Sequence, residues 1–113
     1  MKRMIRKFLE GRFGTGDPEM LEEFFDEYRN NMTEGVGDLK RLLEEGDAPS
    51  LVKKAHSLKG TALLIGDKDL SSALLNFEYT ALNGTPEDCR KFLPDLEKGL
   101  ALLQENREKR ERE

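Results

Sequence analysis

The chain is expected to be all-α, an antiparallel up-down-up-down four-helix bundle, and three features lead there. Its apolar residues recur in steps of three and four over four long stretches, the spacing that gathers them on one side of a helix. Each stretch is bounded by Gly, Pro, Asp or Thr, residues that cap helices or stop them. The connections between stretches are short, which makes sequence neighbours antiparallel neighbours in space. There is no internal repeat and no strand signal of any weight.

Composition narrows the class further. At 113 residues the chain can bury one modest core, so a single domain is expected. Charged residues make up 37%, with 19 Lys and Arg against 23 Asp and Glu for a net charge of −4, so no basic patch points to nucleic acid. No apolar run approaches the ~20 residues of a membrane span. The start, Met1 to Lys7, is basic but lacks the apolar core of a signal peptide. Cys89 is the only cysteine, which suits a reducing cytoplasm, and it reads as a small buried residue near a helix start.

Taken in order, residues 1–13 carry Ile5, Phe8, Leu9 and Phe13 between basic residues, a short accessory helix. A basic face of this kind suits anionic lipid, but a solvated face on a helix packed across the bundle is the expectation. The bundle itself spans 17–104. Asp17-Pro18-Glu19 reads as cap, first helical residue and first-turn acid. Leu21, Phe24, Phe25, Tyr28, Met32, Val36, Leu39, Leu42 and Leu43 then keep a helical period to Glu45, although Gly35 and Gly37 weaken its middle. The aromatics Phe24, Phe25 and Tyr28 could line a ligand pocket, but at this spacing they read as core.

Gly46 closes that helix, Asp47 and Pro49 open the next, and Gly66 ends it. Asp67 or Asp69 caps the third, with Leu70, Ala73, Leu74, Phe77 and Ala81 on its inner face and Gly84 as its C′ residue. Thr85-Pro86-Glu87-Asp88 opens the last helix, with Phe92, Leu96, Leu100 and Leu103 on its buried side. Pro94 lies inside that pattern and should kink it. Residues 105–113 have mixed charge and no apolar face, a solvated helix end that frays.

The second helix is the informative one. Leu51, Ala55, Leu58, Ala62 and Ile65 form its inward stripe, and His56, the only histidine, is not among them. His56 shares a second line with Val52, Lys59, Gly60 and Leu63, on the side facing away from the core, with Leu64 a little to one side. Gly60 in mid-helix costs roughly 1 kcal/mol relative to alanine, which suggests a close approach to the backbone; tolerated drift is the alternative. Val52 and Leu63 suit either a docking surface or a core boundary. Periodicity does not choose between these readings.

Ala55-His56-Ser57-Leu58-Lys59-Gly60, then Ile65-Gly66, Leu70 and Phe77-Glu78, resembles the signature of histidine-containing phosphotransfer (HPt) domains. The resemblance runs from about Asp17 to Leu103, with no departure at the motif positions. It implies a four-helix bundle in which His56 accepts a phosphoryl group from a histidine kinase or a receiver aspartate and passes it to a receiver aspartate. Lys59 would stabilise phosphate charge, and Gly60 would let the partner approach. Val52, Lys53, Leu63 and Leu64 would meet the partner, a receiver domain or sensor histidine kinase. Chemistry agrees: a free imidazole is largely neutral at pH 7, with a lone pair for attack on phosphorus.

The chain lacks a phosphate-binding loop, and its carboxylates do not cluster near His56 for a metal. No metal or cofactor is therefore expected on this chain; Mg²⁺ would come with the receiver. The resulting picture is a monomeric cytoplasmic phosphocarrier in a two-component phosphorelay, not an enzyme by itself. Two other classes compete. A phosphorylation-independent helical interaction domain would keep the fold without using His56. A metal-binding bundle is disfavoured by one histidine, one cysteine and no Glu-x-x-His pair.

Overall fold

Two Gly-Asp corners set the shape of the protein, and each uses its pair of residues in the same way. A computed structural model describes the backbone of residues 18–112 and the side chains of 19–105. The accessory helix expected at 1–13 and the cap expected at Asp17 lie outside the described residues. Helix α1 (Pro18–Glu45) ends at Gly46, whose φ of 69° is left-handed, and α2 (Ala48–Ile65) ends at Gly66 with φ 81°. At both ends the last carbonyls are satisfied by a Schellman pair: Gly46 N–H to Leu43 O and Asp47 N–H to Leu42 O, then Gly66 N–H to Leu63 O and Asp67 N–H to Ala62 O. The aspartate that follows caps the next helix. Asp47 Oδ1 accepts from the Ser50 amide, and Asp67 Oδ1 from the Leu70 amide at the start of α3 (Lys68–Asn83). Of the two capping candidates, Asp67 is the cap.

Asp67 does a second job that the sequence did not announce. Its Oδ2 accepts a 2.7 Å hydrogen bond from the Tyr28 hydroxyl in the protein interior. Asp67 is 1% exposed and Tyr28 2%, so the bond ties the α2–α3 corner to α1 out of reach of water. Burial first, then the adjacent carboxylate and its hydrogen bond, push the Tyr28 phenol far above its ordinary range.

The third corner departs from expectation. Helix α3 stops at Asn83, but Gly84 is extended (φ −118°, ψ −152°) rather than left-handed. Any residue adopts that backbone, so glycine is needed here for space. A Cβ at position 84 would lie 2.9 Å from Asp88 Oδ2 and 3.0 Å from Thr80 O. The crowding comes from the end of α3, through Thr80 O, and from the cap of α4 (Pro86–Arg90), a reciprocal box in which Thr85 Oγ1 accepts from the Asp88 amide and Asp88 Oδ2 from the Thr85 amide.

Pro94 breaks the last helix instead of kinking it. Its ring would collide with the carbonyl four residues back, and it has no amide to bond there. That carbonyl belongs to Arg90, where α4 ends. Turn bonds from Lys91 N–H to Asp88 O and Phe92 N–H to Cys89 O close the short helix. The chain then restarts as α5 (Leu93–Arg112), with Pro94 in its first turn. The fourth arm of the bundle is thus two helices. Helix α5 also runs beyond the apolar pattern to Arg112, through Glu, Lys and Arg residues of good helix propensity.

The core matches the inward stripes. Leu21, Phe25, Tyr28, Met32, Val36, Leu39, Leu42 and Leu43 of α1 are buried, with Phe24 partly so. Leu51, Ala55, Leu58 and Ala62 of α2 join Leu70, Ala73, Leu74, Phe77 and Ala81 of α3. Cys89, Leu96 and Leu103 complete it, with Ile65, Phe92 and Leu100 packed at its edge. The closest pairing of helices is α2 with α3, and the candidate site lies on that pair. Among the described residues no strand occurs, and no helix is long and apolar enough to cross a membrane.

Candidate functional site

Burying Ala55 and Leu58 turns the residue between their rows outward. His56 stands near the middle of α2 with 70% of its side chain exposed, flanked by buried neighbours that hold its backbone. It is not alone. Glu78 of α3 follows the fully buried Phe77, which fixes where its side chain leaves the helix. Glu78 Oε1 lies 2.7 Å from His56 Nδ1, and its Oε2 lies 2.7 Å from Lys59 Nζ, an ion pair. One carboxylate therefore joins the histidine to the lysine one turn away.

Electrostatics settle what that contact does. Burial pushes the Glu78 carboxyl up, but its contacts with Lys59 and His56 outweigh this and hold it below the ordinary carboxylate range. Glu78 is thus an ionised acceptor at neutral pH. An ionised acceptor beside Nδ1 selects the tautomer with the proton on Nδ1, so Nε2 keeps the basic lone pair. The arrangement holds an exposed imidazole in a fixed orientation on a rigid support.

The other sequence-derived candidates divide. Lys59 is at the site, yet only 19% of its side chain is exposed and its ammonium faces Glu78 rather than open water. Gly60 is exposed, and a Cβ added there would meet nothing within 4 Å. Packing within the chain therefore does not require a glycine at this position. Lys53 is exposed, as are Leu63 (58%) and Leu64 (46%). Val52 is half-buried and packs partly against the core, so it sits at the core boundary.

Sequence reasoning missed two things. Glu78 was legible only as a motif position and as a polar residue at a core edge, because its contacts cross from α3 to α2 and leave no trace in local spacing. The second omission is an apolar row on α3: Leu75, Tyr79 and Leu82 are 53%, 67% and 67% exposed. Their steps of four and three were visible beside the buried stripe and signal a second face. Leu63 and Leu75, with Lys59, line a shallow groove between α2 and α3. Among the described residues, no three His, Cys, Asp or Glu side chains come together as a metal site would need.

Comparison with known families adds one finding. The family model of the Hpt domain matches residues 19–106, which takes in all four arms of the bundle and the His56 site. Neither the curated proteins nor the solved structures gave a match. A match over most of the chain, on a helical bundle that displays its one histidine, places this protein in the Hpt domain family.

Proposed function

We propose that this protein is a phosphocarrier of a two-component phosphorelay, with His56 as the residue that is phosphorylated. One observation carries the reading: the 2.7 Å contact between His56 Nδ1 and Glu78 leaves Nε2 as the basic nitrogen of an exposed ring. In the transfer step the Nε2 lone pair attacks the phosphorus of an aspartyl phosphate or of a kinase-bound donor. The N–P bond forms as the P–O bond to the leaving carboxylate or phosphate breaks, and the leaving oxygen keeps the electron pair. The ring becomes cationic as it attacks, and Glu78 beside Nδ1–H stabilises that charge without needing to take the proton. Reversal of these steps delivers the group to a receiver aspartate.

The remaining roles follow from the same arrangement. Lys59, anchored by Glu78 beneath the ring, shares its ammonium with the phosphoryl oxygens once they arrive. Gly60 leaves the backbone one turn beyond His56 open to the partner. Leu63 and Leu64 of α2, with Leu75, Tyr79 and Leu82 of α3, offer the apolar surface on which a receiver domain or histidine kinase docks. Phosphoryl transfer is mostly positioning and electrostatics with a metal, and Mg²⁺ comes with the receiver. The carrier works as a cytoplasmic monomer and has no turnover of its own.

The test is direct transfer. Mixing the protein with a phosphorylated receiver should place an acid-labile, alkali-stable phosphoryl group on the wild type and none on His56→Gln. Label on His56→Gln equal to that of the wild type would remove the assignment. Wild-type chain that binds the receiver but takes no label would instead indicate an interaction domain that has no use for its histidine.

A further inference from the structure

Of the asparagines in the chain, only Asn83 is followed by glycine. Such a pair is chemically labile, because a residue without a Cβ lets its backbone nitrogen swing onto the preceding side-chain carbonyl. Position matters as much as the pair. Asn30 and Asn31 lie inside α1 and Asn76 inside α3, where the amide that follows is held with helix on both sides. Asn83 is the last residue of α3, and Gly84 has already left the helix with φ −118° and ψ −152°. Both are exposed.

The two groups that would react are each held by a hydrogen bond to the end of α3. Gly84 N–H donates to Thr80 O at 2.7 Å, and Asn83 Nδ2 donates to Tyr79 O at 3.0 Å. Both acceptors belong to the final turn of the helix. Opening that one turn frees the nucleophile and the electrophile together, and helix ends open at far less cost than a core does.

We propose that Asn83-Gly84 is a site of spontaneous covalent modification, deamidation through a cyclic imide, and that the final turn of α3 is the latch that sets its rate. The Gly84 nitrogen, its proton given up to solvent, attacks Asn83 Cγ. The N–Cγ bond forms as the Cγ–Nδ2 bond breaks, and Nδ2 keeps the electron pair, takes a proton back from solvent and departs as ammonia. Water then opens the ring at either carbonyl, leaving aspartate or isoaspartate at position 83. Nothing is oxidised or reduced, and water is the only co-reactant.

The product weakens the corner that hosts it. A carboxylate at position 83 has no proton to donate to Tyr79 O, and it stands at the negative, C-terminal end of α3. It also places an anion next to Gly84, where Asp88 already crowds in: a Cβ on Gly84 would lie 2.9 Å from Asp88 Oδ2. Isoaspartate further lengthens the backbone just ahead of the Thr85–Asp88 capping box.

The experiment incubates the whole chain in mildly alkaline buffer, folded and unfolded in urea. Conversion is followed by peptide mass and by methylation with an isoaspartate-specific methyltransferase. Aspartate and isoaspartate should accumulate at position 83 ahead of every other asparagine. The folded chain should convert about tenfold more slowly than the unfolded one, since the latch opens at the low-cost end of local unfolding. Asn83→Asp, which carries the charge of the product, should lower the melting temperature by about 2–4 °C. Conversion led by another asparagine overturns the site, as does a folded chain with none at Asn83 while the unfolded chain reacts. Equal rates in the two states overturn the latch, and a wild-type melting temperature in Asn83→Asp overturns the effect on the corner.

Discussion

Gly35 and Gly60 occupy the same kind of position, mid-helix on neighbouring helices, and they meet opposite surroundings. A Cβ at Gly35 would lie 2.4 Å from Leu58 Cδ2 and 2.9 Å from its Cδ1, so this glycine is the socket that lets α2 close onto α1. A Cβ at Gly60 would meet nothing within 4 Å among the described residues. Both carry the same helix penalty of roughly 1 kcal/mol, but only Gly35 recovers it through packing. Gly60 lies on the exposed face of α2, one turn beyond His56. The α1–α2 contact thus records the demands of folding, whereas packing among the described residues makes no such demand at Gly60.

The two acids Asp67 and Glu78 repeat the lesson with charge. Each carboxylate joins two helices through both of its oxygens. Asp67, 1% exposed, is sealed against Tyr28 and a helix amide, where it can only hold. Glu78 holds a histidine that is 70% exposed. Exposure of the partner, not the chemistry of the acid, separates the two contacts.

Substitutions at these positions can break the contrast. The largest effect on stability is expected for Gly35→Leu, which overfills the socket occupied by Leu58. Overpacking costs roughly 1–3 kcal/mol or more, a fall in melting temperature of roughly 5–15 °C for a domain of this size. Transfer by the folded fraction should persist. An unchanged melting curve would mean that α2 can shift freely and that Gly35 is no socket. Gly60→Gln should do the reverse. It gains up to about 1 kcal/mol from helix propensity, while phosphotransfer slows several-fold because the partner is crowded. Normal transfer rates in this variant would leave the glycine unexplained.

Lys59→Ala should affect acceptance more than stability, losing no more than about 1–2 kcal/mol on thermal melting while transfer to His56 falls. A large stability loss with unchanged transfer would move Lys59 to the scaffold. The smallest effect is a pH dependence. Because Glu78 is held below its ordinary value of 4.5, its contacts add stability that is fully present above that pH and is lost as the pH falls through the depressed folded value. Comparing melting of the wild type and Glu78→Gln from about pH 6 down to about pH 3 should show their difference shrinking in acid. A constant difference would mean that Glu78 acts through shape rather than charge.

Much of this was legible in the chain. The period of Leu51, Ala55, Leu58 and Ala62 turned His56 outward before any coordinates, because a helix repeats on a fixed angle and a core accepts only one side of it. Gly46, Gly66, Asp47 and Thr85 marked the breaks for equally local reasons: a left-handed turn or a free amide within three residues. Pro94 announced a disruption, but a kink and a break differ only in whether the surrounding packing lets the chain bend. The structure shows a break, with α4 stopping at Arg90.

What the amino-acid order determined by itself was therefore everything that depends on neighbours along the chain: the helices, their caps, the inward stripes and a histidine left outside them. Tertiary structure alone decided the use of Glu78, the seal between Tyr28 and Asp67, the socket at Gly35 and the boundary position of Val52. Each of those joins residues on different helices, at distances set by how the helices pack. Local spacing carries no record of a contact made across twenty or forty residues, and so these partners emerge only when the bundle is closed.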